Sequence, residues 1–66
     1  MEIRIPTSWI NATDTASAMT EIEANSEIME MVRSIAKLTD TAIGDMVEAV
    51  AQHIVTTDED YVYDSK

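Results

Sequence analysis

Apolar side chains recur along this chain with two different periods, and the change from one to the other divides it. Over residues 2–6, Ile3 and Ile5 point one way and Glu2 and Arg4 the other, the period of two that a strand requires. Pro6 has no N–H to donate, so it ends the strand or sets it at an edge. Residues 7–11 read as a connection from which Trp9 and Ile10 fold back onto the core. A helix follows. Thr13 or Asp14 caps it, because a side-chain oxygen accepts from the free N–H groups of a first turn. Its apolar stripe is narrow: Ala16, Met19 and Ile22. Asn25 and Ser26 are good capping residues and mark a break or a sharp bend.

A second helix is predicted over about residues 27–38, where Ile28, Met31 or Val32, Ile35 and Leu38 recur at helical spacing. Glu27 in its first turn and Lys37 near its last both suit the helix dipole. Arg33 is placed to pair with Glu30, three residues before it. Thr39, Asp40 and Thr41 form a polar break with three candidate caps. The third helix runs to about Val55 and has the clearest stripe: Ile43, Met46, Val47, Val50, Ala51 and Ile54. Asp45, Glu48 and Gln52 lie opposite. Gly44 near its start weakens it by about 1 kcal/mol relative to Ala. Residues 56–60 are a polar, acidic loop, and Tyr61, Val62 and Tyr63 return to alternation.

These elements predict an α+β fold: three short helices with a small two-stranded ribbon formed by the N- and C-terminal segments. Ile3, Ile5 and Val62 are expected on the core side of that ribbon. The 66 residues make one domain, 1–66. A chain this short buries only about 60% of the surface its unfolded form exposes. It has no cysteine to staple it and no metal-ligand spacing in place of one. The hydrophobic fraction of 45% is ample for a core but consists mainly of Ala, Ile, Val and Met. Such a thin core leaves room for self-association, including a homodimer. No stretch approaches the roughly 20 apolar residues of a membrane span. No basic region followed by an apolar run opens the chain, so no signal peptide is expected. Missing cysteine fits a reducing cytoplasm.

The chemistry-bearing residues argue against catalysis, so the chain is expected not to be an enzyme. Nucleophilic catalysis needs a nucleophile, a base and an orienting group. The only histidine is His53, near the end of the third helix, where an imidazole interacts well with the helix dipole. The single glycine excludes a glycine-rich phosphate loop. Asp58, Asp60 and Asp64 alternate loosely as in a calcium loop, without the glycine and terminal glutamate which that geometry requires. No cofactor and no metal is expected.

Charge then decides what kind of partner to expect. The chain carries 13 Asp and Glu against 4 Lys and Arg, a net charge of −9, with a pI near 4.1. Such a chain repels nucleic acid and acidic membranes and is drawn to basic surfaces. The candidate partner-binding residues form three groups. Glu23, Glu27 and Glu30 fall at i, i+4 and i+7, and share one face if a helix runs through them, with Glu21 flanking. Asp45 and Glu48 lie one turn apart. Asp58, Glu59, Asp60 and Asp64 form the third group. Solubility alone needs a net charge of only about 2 to 8. Carboxylates held in rows on a rigid helix imitate the spacing of phosphates. They suit a basic DNA- or RNA-binding protein or complex whose Lys and Arg normally hold a backbone.

Residues 36–54, AKLTDTAIGDMVEAVAQHI, resemble the turn and second helix of ribbon-helix-helix repressors and antitoxins, and the opening EIRIP resembles their strand. That resemblance implies a dimeric regulator whose strands pair between two copies and enter the major groove of DNA through Arg4. The family has one helix between strand and turn, where this chain reads as two. In size, acidity and compact helical character the chain resembles more closely the small acidic proteins of phages, especially type I anti-CRISPR proteins. This resemblance implies a stoichiometric inhibitor that works by DNA mimicry, in the cytoplasm of a bacterial host cell, on a CRISPR surveillance complex.

Overall fold

The computed structural model describes residues 1–64; residues 65 and 66, the last two of the expected domain, lie outside the described residues. The elements are a strand β1 (Glu2–Ile5), a 3₁₀ turn (Thr7–Trp9), helices α1 (Thr15–Ala24), α2 (Ser26–Thr39) and α3 (Ile43–Thr57), and a strand β2 (Tyr61–Asp64). β1 and β2 pair antiparallel in a two-stranded sheet, so the domain is α+β with a ribbon made from its N- and C-terminal strands.

Local chemistry accounts for the helix ends. Asp14 caps α1 by accepting from Ser17 N–H at 2.8 Å. Asn25 ends α1 and caps α2, its side-chain oxygen accepting from Glu27 N–H at 3.0 Å and Ile28 N–H at 3.1 Å. At φ −109° and ψ 108° it is extended, so α1 and α2 are two helices and not one. Asp40 and Asp58 end α2 and α3 in the left-handed conformation, at φ 54° and φ 55°. Aspartate tolerates that region better than most residues with a Cβ. The polar break at residues 39–41 thus closes α2, and α3 starts at Ile43 with Ala42 at its N-cap and no side-chain cap.

All three helices and β1 contribute to one aliphatic core: Ile5, Ile10, Ala18, Ile22, Ile28, Val32, Ile35, Ala36, Met46, Val47, Val50, Ala51 and Ile54. The stripe expected on α3 is buried except for Ile43, which is 46% exposed at the first residue of the helix. On α2, Ile28, Val32 and Ile35 are buried and Met31 is partly so, while Leu38 is 47% exposed in the last turn. On α1 the inward face runs through Ala18 and Ile22, with Met19 at its margin and Ala16 outside. Ile10 folds back onto the core as expected, but Trp9 does not and is 44% exposed.

The ribbon turns Ile3 and Ile5 to the core as expected, but not Val62. Its register opposes Ile3 to Tyr63, Arg4 to Val62 and Ile5 to Tyr61. Directly opposed residues share a face. Tyr61 and Tyr63 therefore pack with Ile5 and Ile3, and Val62 stands outside beside Arg4, 41% exposed. This register sets two opposite expectations for neighbouring residues. Ile5→Ala removes a fully buried side chain and should cost about 2–5 kcal/mol, while Val62→Thr on the outer face should stay within about 0.5 kcal/mol of the parent. Urea denaturation of the two variants checks this. A reversed order would mean that the ribbon is shifted by one residue.

Candidate functional site: a divided set of carboxylates

The acidic residues separate by what their carboxylates hold. Asp14 serves α1, and hydrogen bonds from the Ser17 backbone and hydroxyl keep its carboxyl below the usual range. Glu21 is half-buried and accepts from Asn11 N–H at 3.0 Å, which ties the connection before α1 to that helix. Asp60 reaches furthest. Its Oδ1 accepts from Thr7 N–H at 2.8 Å and its Oδ2 from the Arg4 guanidinium at 3.4 Å. One carboxylate just before β2 thus grips both the end of β1 and the turn that follows it. The Thr7 N–H, aided by Arg4, holds this carboxyl below the usual aspartate range.

His53 completes the grip from α3. Its Nε2 lies 3.1 Å from the Asp60 carbonyl oxygen. A carbonyl only accepts, so Nε2 carries the hydrogen. The imidazole also meets the Tyr61 ring edge to face, with centroids 5.3 Å apart. The histidine expected only to complement a helix dipole therefore positions the loop that begins β2.

The other candidate residues are free. Glu23, Glu27, Glu30, Asp45, Glu48, Asp58, Glu59 and Asp64 are all exposed, and among the described residues none of their carboxylates makes a hydrogen bond or ion pair. The expected row of Glu23, Glu27 and Glu30 does not form, because the chain turns at Asn25. Glu23 belongs to α1. Glu27 and Glu30 remain one turn apart on α2, about 5–6 Å between Cβ atoms. Asp45 and Glu48 repeat that spacing on α3. Asp58 and Glu59 follow the end of α3, and Asp64 lies opposite Glu2 on the outer face of the ribbon.

The cations do little to neutralise this surface. Among the described residues the ion pairs are those of Arg4, with Glu2 at 3.6 Å and with Asp60 at 3.4 Å. The expected pair of Arg33 with Glu30 is not made; both side chains extend into solvent, where such a pair contributes little. No group of three or more His, Asp or Glu among the described residues is placed to hold a metal ion. No described helix is long and apolar enough to cross a membrane.

Two features escaped the sequence pattern. The Asp60–Thr7 contact joins residues 53 positions apart, and no local signal marks it. Trp9 resembles a core residue in composition, yet it sits on a short 3₁₀ turn. There a shallow notch of about 260 Å³ opens between Trp9, Asn25 and Glu27.

No family model, no curated protein and no solved structure matches this chain.

The Asp60 contacts have a pH signature. A carboxyl whose pKa is lowered by folding stabilises the fold above its unfolded value, and that contribution is lost as pH falls through the folded value. Asp60→Ala should lower the melting temperature at pH 7, although it removes a negative charge from an acidic protein. The difference from the parent should shrink below about pH 4, where the parent carboxyl also becomes neutral. Melting curves across that range check this. An unchanged or raised melting temperature at pH 7 would show that the contact does not hold the ribbon.

Proposed function

We propose that this protein is a stoichiometric, non-catalytic inhibitor. It presents its free carboxylates to a basic nucleic-acid-binding protein in place of the phosphates of DNA. The foremost target is a CRISPR surveillance complex in the cytoplasm of a bacterial host cell. The observation that carries this reading is that, among the described residues, the carboxylates of Glu23 on α1, Glu27 and Glu30 on α2, Asp45 and Glu48 on α3 and Asp64 on β2 have no partner, on a chain of net charge −9. A surface built only for stability would pair Glu with Lys along the helices. Here α1 and α3 carry acid with no Lys or Arg, and on α2 Arg33 and Lys37 make no pair with Glu27 or Glu30 among the described residues.

The ribbon-helix-helix reading fares worse on the same geometry. β1 is paired with β2 of its own chain, whereas that family pairs strands between two copies. Arg4, the one basic residue of β1, lies between Glu2 and Asp60 and would have to give up both to grip a phosphate. Repulsion between a chain of net charge −9 and duplex DNA adds to that cost.

Mimicry by many weak contacts has a recognisable mutational pattern. Each exposed pair contributes only about 0.2–1 kcal/mol, so Glu30→Gln alone should leave inhibition nearly intact. Two combined variants, Glu23, Glu27 and Glu30 to Gln, and Asp45 to Asn with Glu48 and Glu59 to Gln, should both fold. At least one should stop competing with DNA for the target. Binding of the parent should weaken steeply with salt, because exposed charges are screened beyond about 8 Å at physiological ionic strength. Competition assays with duplex DNA over a salt series check both points. Two folded variants that compete as well as the parent would overturn the proposal.

A further inference from the structure

We infer that the notch beside Trp9 receives an arginine side chain of the basic partner, and that it prefers arginine to lysine. This rests on the reading of the protein as a binder of a basic surface. The notch is lined by Trp9, Asn25 and Glu27 and has a volume of about 260 Å³. Three observations define its chemistry. Trp9 is 44% exposed although it is the largest apolar side chain in the protein and its neighbour Ile10 is buried. Glu27 is exposed and its carboxylate has no partner among the described residues. The oxygen of Asn25 is already occupied by the N–H groups of Glu27 and Ile28, which fixes that wall of the notch.

An aromatic surface beside a free carboxylate is complementary to a guanidinium. Tryptophan is the strongest aromatic partner for a cation. Arginine is planar, stacks on an aromatic face, is less tightly hydrated than an ammonium, and offers a fork of donors to a carboxylate. A lysine ammonium also reaches the indole face, but it is more tightly hydrated and cannot stack or fork onto the carboxylate. The exposed carboxylates elsewhere also accept the arginine fork, so it is the part of the preference that disappears with Trp9 that belongs to this notch. An apolar partner residue would gain from the indole but would leave Glu27 facing it without compensation. The net charge of −9 already selects a basic partner.

The chain has a single tryptophan, so indole emission reports directly on the notch. The full chain is titrated at low salt with an oligo-arginine peptide and with an oligo-lysine peptide of the same length. Emission and calorimetry are followed together. The arginine peptide should bind about three- to fivefold more tightly than the lysine peptide and shift the Trp9 emission. Trp9→Leu and, independently, Glu27→Gln should bring the arginine peptide down toward the level of the lysine peptide. Asp45 sits in the first turn of α3, which follows the end of α2 away from the notch; α2 has 14 residues and is about 21 Å long, and Asp45→Asn is the control. It should weaken both peptides alike. If the two peptides bind equally, and Trp9→Leu and Glu27→Gln behave as the parent, the notch assignment falls while the carboxylate surface stands. If neither peptide binds at low salt, both readings fall.

Discussion

With no disulfide and no phenylalanine, this chain has mainly aliphatic burial to set against the entropy of ordering its backbone. That constraint shapes the interior. The core is built from isoleucine, valine, alanine and one methionine. β-Branched side chains lose little rotamer freedom on burial because they have little to lose. Ala18, Ala36 and Ala51, one on each helix, are buried. Small residues at helix contacts let the axes approach toward the near end of the usual 8–10 Å separation. Close packing compensates for the missing aromatic bulk, since dispersion depends on contact and falls quickly across a gap. Removing one methylene from such an interior is felt more than in a larger domain, because few other side chains share the load.

The acidic surface works against that core. Like charges spread over a small body repel one another and destabilise the compact state. The chain offsets part of this by giving some of its carboxylates structural work. Asp14 and Glu21 satisfy backbone donors before and at the start of α1. Asp60 joins the residues after β1 to the residue before β2, with His53 reaching to the same point from α3. These contacts close the ribbon at the end away from the Glu2–Asp64 pair, where two like charges face each other. Arg4 lies between the two ends and serves both Glu2 and Asp60.

Helix number, order and breakpoints were legible because their signals are local. Asn25 reads as a cap, and it caps; the α3 stripe reads at helical period, and it is buried. The fold class followed from alternation at the two ends of the helical block. The inner face of β2 was not legible. In Tyr61, Val62 and Tyr63 both faces are apolar, so alternation alone cannot say which turns inward. The decision comes from the register of the ribbon, beside which the Asp60 carboxylate meets the Thr7 N–H, 53 residues away in sequence. Ala18 was missed in favour of Ala16 because alanine contributes little to any periodic signal. Leu38 and Ile43 were assigned to the core on spacing, but each falls at a helix end beside the α2–α3 turn, where little packs over it. Among the acidic residues, identity was legible and role was not. Nothing in the order of residues distinguishes Asp60, which is engaged, from Glu59, which is free.

That distinction bears on mimicry. A carboxylate engaged by the protein's own donors is a weaker lure for a partner's arginine, because the partner must displace a bond already made. Under the proposed mimicry, Glu21 and Asp60 are therefore expected to contribute less than their charge suggests. The break at Asn25 matters in the same way. One long helix would have offered a straight row of Glu23, Glu27 and Glu30. Two helices meeting at a bend instead distribute the charges over surfaces that face different directions. A phosphate backbone also curves, so a bent arrangement is no disadvantage, but it makes shape part of recognition. Charge spread over several faces draws a basic surface close without choosing an orientation. Under the proposed mimicry, orientation has to come from a feature with direction, and a half-exposed indole beside the Glu27 carboxylate is one that a uniform field of carboxylates lacks.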